Sequence, residues 1–239
     1  MALRYLRLIA VNIDGVLLND TFSPVIHRFV VRRGRAWTVG LEREVLSQPQ
    51  LRAAAALGLP EPAEDVVEAY FRERAEYLED HPVRVLDGAG ALLERLRATG
   101  ARLVCYGGLG RTHFDRHLAS FAGYFDEPRY VCTDAIRPGI REIAEDVFGV
   151  RCDQALFIDD VARVAEAARH LGAAFIGHPT AYEHSFQRQL MHEVGVRHLV
   201  GSLDAIDGRL LRTVDAEAAE GRLWPRAAAD ADEGAALEA

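Results

Sequence analysis

Several apolar runs in this 239-residue chain end in residues that can do chemistry. The run RLIAVNID delivers Asn12 and Asp14, and the run ARLVCYG delivers Tyr106 and Gly107. Further on stand Arg137-Pro138 and, after the run ALFI, the pair Asp159-Asp160. Carboxylates such as Asp14, Asp159 and Asp160 suit a hard divalent cation or a proton transfer. Arg137 suits an oxyanion, which its planar guanidinium binds through a fork of donors. Asn12 is the odd member, because a carboxamide is uncharged and a poor nucleophile. A plainer account exists for some of them. An acidic pair at a strand end also caps the next helix, and an Asn there also makes local backbone bonds.

These residues can meet only if the runs are strands of one sheet, since ligands of open α/β sheets gather at the carboxyl ends of the strands. The pattern predicts that sheet. Short apolar segments alternate with amphipathic helices, as in a Rossmann-like parallel sheet of about five strands flanked by helices. Strands are expected at 5–13, 101–106, near Tyr130, at 155–158, 173–176 and 197–200. Helices are expected at 89–99, 111–120, 138–148 and 161–171, the third entered at Pro138 and the last stopped by Gly172. Residues 19–82 break the alternation. Helices at 51–57 and 61–80 predict an inserted helical cap, since a plain crossover needs far fewer residues. The expected division is a core of 1–18 and 83–215, a cap of 19–82, and a partly disordered Ala- and acid-rich tail of 216–239 in which Trp224 is free to dock on the core or on a partner.

Composition narrows the function classes. The net charge of −8 excludes the basic footprint of a nucleic-acid binder. No apolar run approaches the length of a membrane span. All 28 basic residues are Arg, so Schiff-base and Walker-type Lys chemistry are absent. The odd, widely spaced set Cys105, Cys132 and Cys152 reads as reduced, mostly buried thiols of a cytoplasmic protein.

The order of these features resembles the haloacid dehalogenase-like superfamily over roughly residues 5–205. Asn12-Ile13-Asp14-Gly15-Val16-Leu17 is similar to its first motif, Asp-x-Asp-Gly-[Thr/Val]-Leu. Tyr106 stands where the second has Ser or Thr, and Arg137-Pro138 where the third has Lys. Phe157-Ile158-Asp159-Asp160 is similar to the fourth, an apolar strand and an acidic pair. The insertion at 19–82 looks like a cap of the first type. The resemblance implies a nucleophile at position 12, an acid/base at Asp14, phosphate binding by Tyr106, Gly107 and Arg137, and a metal site of Asn12, Asp14, Asp159 and Asp160. Asn12 cannot form the aspartyl-phosphate and is read as a substituted catalytic position. Mg²⁺ is the implied cofactor, its affinity weakened by the missing charge. The expectation is therefore a bacterial, degenerate member acting as a non-catalytic or stabilising subunit of another, biosynthetic enzyme, in a hetero-oligomer. Two alternatives stay open: a Mg²⁺-dependent hydrolase of a phosphorylated or related small molecule using Asp14 as acid/base, and a phosphometabolite-binding module with a small anionic ligand.

Other candidates are weaker. His113 and His117, four apart, read as a solvated or core-packing pair rather than a zinc site. Gly107-Gly108-Leu109-Gly110 is either a phosphate cradle or a plain turn. Arg32, Arg33 and Arg35 read as a solvated turn.

Overall fold

The computed structural model describes residues 2–225. β1 (Leu8–Asn12) is followed by α1 (Ser23–Arg32), α2 (Val39–Val45), α3 (Gln50–Ala56) and α4 (Ala63–Asp80). The chain returns through α5 (Ala89–Arg97) to β2 (Arg102–Gly107), α6 (Arg111–His117) and β3 (Tyr130–Cys132). It ends with β4 (Ala155–Asp159), α7 (Ala162–Leu171), β5 (Ala174–Gly177), α8 (Gln187–Val194) and α9 (Gly208–Ala219). The five strands form one parallel sheet in the order β3-β2-β1-β4-β5.

Burial on both faces explains the near-continuous apolar strands. Ile9, Val11, Leu103, Cys105, Leu156 and Ile158 face a core closed by α5, α6 and α9. The alternate residues Leu8, Ala10, Val104, Tyr106 and Phe157 face a second core closed by α7 and α8. The four helices between β1 and α5 carry their own cluster, built on Ile26, Phe29, Val30, Leu57 and Val66.

The segment boundaries differ from expectation where a side chain or a glycine intervenes. The first strand starts at Leu8 because the backbone N–H groups of Arg4, Tyr5 and Leu6 donate to the Asp215 carboxylate of α9 rather than to a strand. Residues 197–200 form no strand: only Leu199 bridges Gly177. Pro138 does not open a helix. Gly139 at φ +77° is not helical, so winding begins at Ile140 and takes a π-helical form over Glu142–Val147. The expected tail begins too early. Helix α9 runs on to Ala219, and the Trp224 indole donates to the Ala173 carbonyl at 3.0 Å and packs near Phe175. Residues 226–239 lie outside the described residues. Cys105 and Cys152 are buried as expected, whereas Cys132 is exposed.

The helical insertion is fastened to the core by polar contacts through α2. Glu42, fully buried, accepts from Ser185 Oγ, the Phe186 N–H and Gln187 Nε2 at 2.8–2.9 Å. Arg43 pairs with Glu166 at 2.7 Å, and the Trp37 indole donates to the His184 carbonyl. The segment 32–35 is not simply solvated, because Arg33 pairs with Glu73 at 2.8 Å and lies over the Phe29 ring.

Candidate functional site

The ends of β1 and β4 place Asn12, Asp14 and Asp160 together beneath the helical insertion, where they line a cavity of about 160 Å³. Asn12 pairs with Tyr106 in the parallel register, so β1 and β2 end level with each other. Gly15 makes the close turn after β1: its φ is +82°, and a Cβ there would lie 2.1 Å from Asp160 Oδ2. Gly108 does the same for Arg137, whose Nη2 would meet a Cβ at 1.6 Å. Gly107 and Gly108 therefore let the Ile13 and Arg137 side chains approach, whereas a Cβ at Gly110 would meet nothing within 4 Å. Arg137 reaches the cavity wall and donates to Ser47 Oγ at 3.2 Å.

The Asn12 amide is pinned. Its Nδ2 donates to the Asp14 carbonyl and to Asp160 Oδ1, both at 2.9 Å. A backbone carbonyl only accepts, so the nitrogen must face it, and the amide orientation follows from chemistry. The two oxygens that receive these bonds, the Asp14 carbonyl and an Asp160 carboxylate oxygen, are of the kind a hard cation seeks.

Asp159 faces away from the cavity. Its Oδ2 accepts from the Tyr106 hydroxyl at 2.5 Å and its Oδ1 from the Val161 N–H at 2.7 Å. It thus serves the start of α7, one of the roles open to an acidic pair. Tyr106 is buried, with its ring edge-on to Phe157, and lines no part of the cavity; neither does Gly107. The expectation that these two bind phosphate is corrected: the phenol is long enough to pass under the strand end and reach Asp159. Burial pushes the Tyr106 hydroxyl well up. It also lifts the Asp159 carboxyl to about 6, opposed by the Tyr106 and Val161 donors. Burial, and then the neighbouring Asp159 charge, hold Asp160 well above the ordinary carboxylate range.

These residues do not fit a Mg²⁺ ion. Such an ion needs several oxygen donors in octahedral array, usually with one or two carboxylates. Here both Asp159 oxygens are committed, Asp160 Oδ1 already accepts from Asn12, and Asn12 presents a nitrogen where a ligand oxygen is required. Among the described residues no group of three or more His, Cys, Asp or Glu side chains is arranged to hold a metal ion.

Residues that the sequence reading did not place in the site complete it. His113 Nε2 lies 2.9 Å from Asp14 Oδ1, with both side chains largely buried. The spacing of His113 and His117 carried this signal, but only the approach of α6 to β1 gives it a partner. His178 Nδ1 contacts the Gly15 carbonyl at 2.9 Å, and burial lowers its pKa. Asp20 lines the cavity as well, and its Oδ1 accepts the N–H groups of Phe22 and Ser23 at the start of α1.

No family model matches the chain, and no curated protein matches it. Solved structures do. A conserved haloacid dehalogenase-like protein of unknown function from Agrobacterium tumefaciens str. C58 aligns at a TM-score of 0.61 and 18% identity, over 87% of this chain and 99% of its own. A HAD family IA hydrolase from Entamoeba histolytica HM-1:IMSS aligns at 0.64 and 16%, over 88% and 100%. A HAD family hydrolase from Deinococcus radiodurans R1, with bound phosphate and sodium, aligns at 0.56 and 19%, over 93% and 99%. The parallel five-stranded sheet, its order and these neighbours together show that the chain has the haloacid dehalogenase-like fold.

Proposed function

We propose that this haloacid dehalogenase-fold protein binds a small molecule beneath its helical insertion without transferring a phosphoryl group, and serves as a non-catalytic subunit of a biosynthetic enzyme. The observation that carries the reading is the Asn12 amide. It offers no nucleophilic carboxylate, and its nitrogen is tied to the Asp14 carbonyl and to Asp160. The cavity above it supports ligand binding. It is mostly apolar and supplied with a few convergent polar groups.

The test is a phosphatase assay on a panel of phosphate esters with Mg²⁺, comparing the natural protein with Asn12→Asp. The reading expects no turnover by the natural protein, and metal-dependent turnover by it would overturn the reading. Co-expression with neighbouring genes tests the subunit role, which fails if the protein purifies alone.

A second reading keeps a hydrolase, with Asp14 moving a proton. The His113–Asp14 contact at 2.9 Å favours it, because an imidazole there orients a carboxylate at the cavity floor. It requires turnover in the natural protein that Asp14→Ala abolishes.

A further inference from the structure

The cavity divides by chemistry. Its roof comes from α1, α3 and α4 and the segment joining α2 to α3, and is apolar: Phe22, Ile26, Leu46, Leu57, Val66 and Val67 line it. Its polar side holds four carboxyl groups, Asp14, Asp20, Asp134 and Asp160. Among the described residues, Arg137 is the one basic side chain that lines the cavity. Arg137 bonds Ser47, and its charge bears on the Asp159 and Tyr106 side of the floor. Arg74 is buried, donates to Thr21 Oγ1 at 2.8 Å and stacks on the Phe22 ring, without lining the cavity. His113 Nε2 contacts Asp14 Oδ1. Asp20 is the exception. Its Oδ2 is buried without a hydrogen-bond partner, an arrangement that costs free energy unless something donates to it. The Asp14 and Asp20 charges both bear on the buried Tyr70 phenol, and the Asp20 charge also bears on Asp160.

A phosphate dianion fits this lining poorly, because it would meet four carboxyl groups and a single Arg. An apolar body under the roof, with a donor-bearing cation against Asp20 and Asp14, fits both halves. We propose that the ligand is a small organic amine with an apolar body, its ammonium seated on Asp20 and Asp14. This rests on the reading of the cavity as a ligand site, and deepens it.

Calorimetry on the intact protein tests the proposal with probes of one shape: 2-phenylethylamine, 2-phenylethanol and 3-phenylpropanoate, with inorganic phosphate alongside. The amine is expected to bind most tightly, the alcohol more weakly, and the carboxylate and phosphate not measurably. Asp20→Asn keeps the Oδ1 that caps α1 and removes the charge. It should weaken the amine roughly tenfold to a hundredfold while leaving the alcohol within about twofold, because a charge-assisted bond is lost and a neutral one kept. Changing the selectivity rather than the overall affinity separates a binding role from a structural one. Preference for the carboxylate or phosphate, binding of none of the probes, or an amine affinity unmoved by Asp20→Asn would overturn the proposal. Phosphatase activity in the natural protein would overturn the wider reading and leave the amine result standing, so the two failures are distinct.

Discussion

The carboxamide nitrogen of Asn12 donates to Oδ1 of Asp160 at 2.9 Å, and the same nitrogen reaches the carbonyl of Asp14. One neutral donor thereby joins the ends of β1 and β4. In a site built for Mg²⁺ those acceptors would be drawn together by a cation. Here an internal amide does so, and the local structure needs no added charge.

Removing that donor leaves two acceptors at the floor unpaired. Asn12→Ala is expected to lower stability by about 1–3 kcal/mol, read from urea unfolding with an unchanged m-value. An unchanged midpoint would mean that water replaces the amide without cost.

Tyr106 and Asp159 form the neighbouring link, at 2.5 Å. Tyr106→Phe keeps the ring on Phe157 and strips the donor from a buried carboxyl, so a loss of about 1–3 kcal/mol is expected near neutral pH. Because that hydroxyl holds the Asp159 pKa down, the loss should be smaller at pH 4.5, where the carboxyl is neutral. An equal loss at both pH values contradicts this account.

The acidic pair sets a pH dependence of unusual sign. In the unfolded chain these carboxyls ionise near pH 4. In the fold burial lifts Asp159 to about 6, and burial with the Asp159 charge raises Asp160 well above its ordinary range. Above about pH 4 the unfolded state therefore binds fewer protons, and stability falls as pH rises through 6. Asp160→Asn keeps the acceptor for Asn12 and removes one titrating group. It should stabilise the protein at pH 8 relative to pH 4.5; equal effects at both would refute the assignment.

The insertion's contact with the core titrates the other way. His27 stacks on His184 at 4.3 Å and bonds Tyr182 at 2.8 Å. Burial, then the His184 charge, lower its pKa. Below about pH 6.5 the unfolded state takes up a proton that the fold resists, so stability is lost as pH falls. Trp37 donates to the His184 carbonyl, so its emission in a Trp224→Phe background should change between pH 7 and pH 5.5. His27→Gln should remove the change.

The sheet and the motifs at the ends of β1, β2 and β4 were legible because each rests on local pattern: an apolar run, then a small or polar residue. Asp159 and Asp160 illustrate the limit. Sequence placed them side by side, but only the fold shows one carboxylate turned toward Tyr106 and the start of α7 and the other toward Asn12 and the cavity. His113 was read as a packing residue for a related reason: its partner, Asp14, comes from a distant part of the chain, and no spacing rule encodes that approach. Asp20 was missed although its bonds to Phe22 and Ser23 are local, because only the fold sets it in the cavity lining. Residues 5–6 and 197–200 read as strand from the sequence pattern, whereas the Asp215 carboxylate and a single bridge at Leu199 decide their backbone pairing.

The central claim is that the Asn12 amide stands in for the cation. Its most direct test is the thermal midpoint of the natural protein and of Asn12→Asp, each titrated with Mg²⁺ from zero to 10 mM at constant ionic strength. The account predicts no metal-dependent shift for the natural protein. It predicts a lower midpoint for Asn12→Asp without metal, from two facing carboxyls, and a saturable rise as Mg²⁺ is added. A saturable rise in the natural protein, or none in Asn12→Asp, would contradict it.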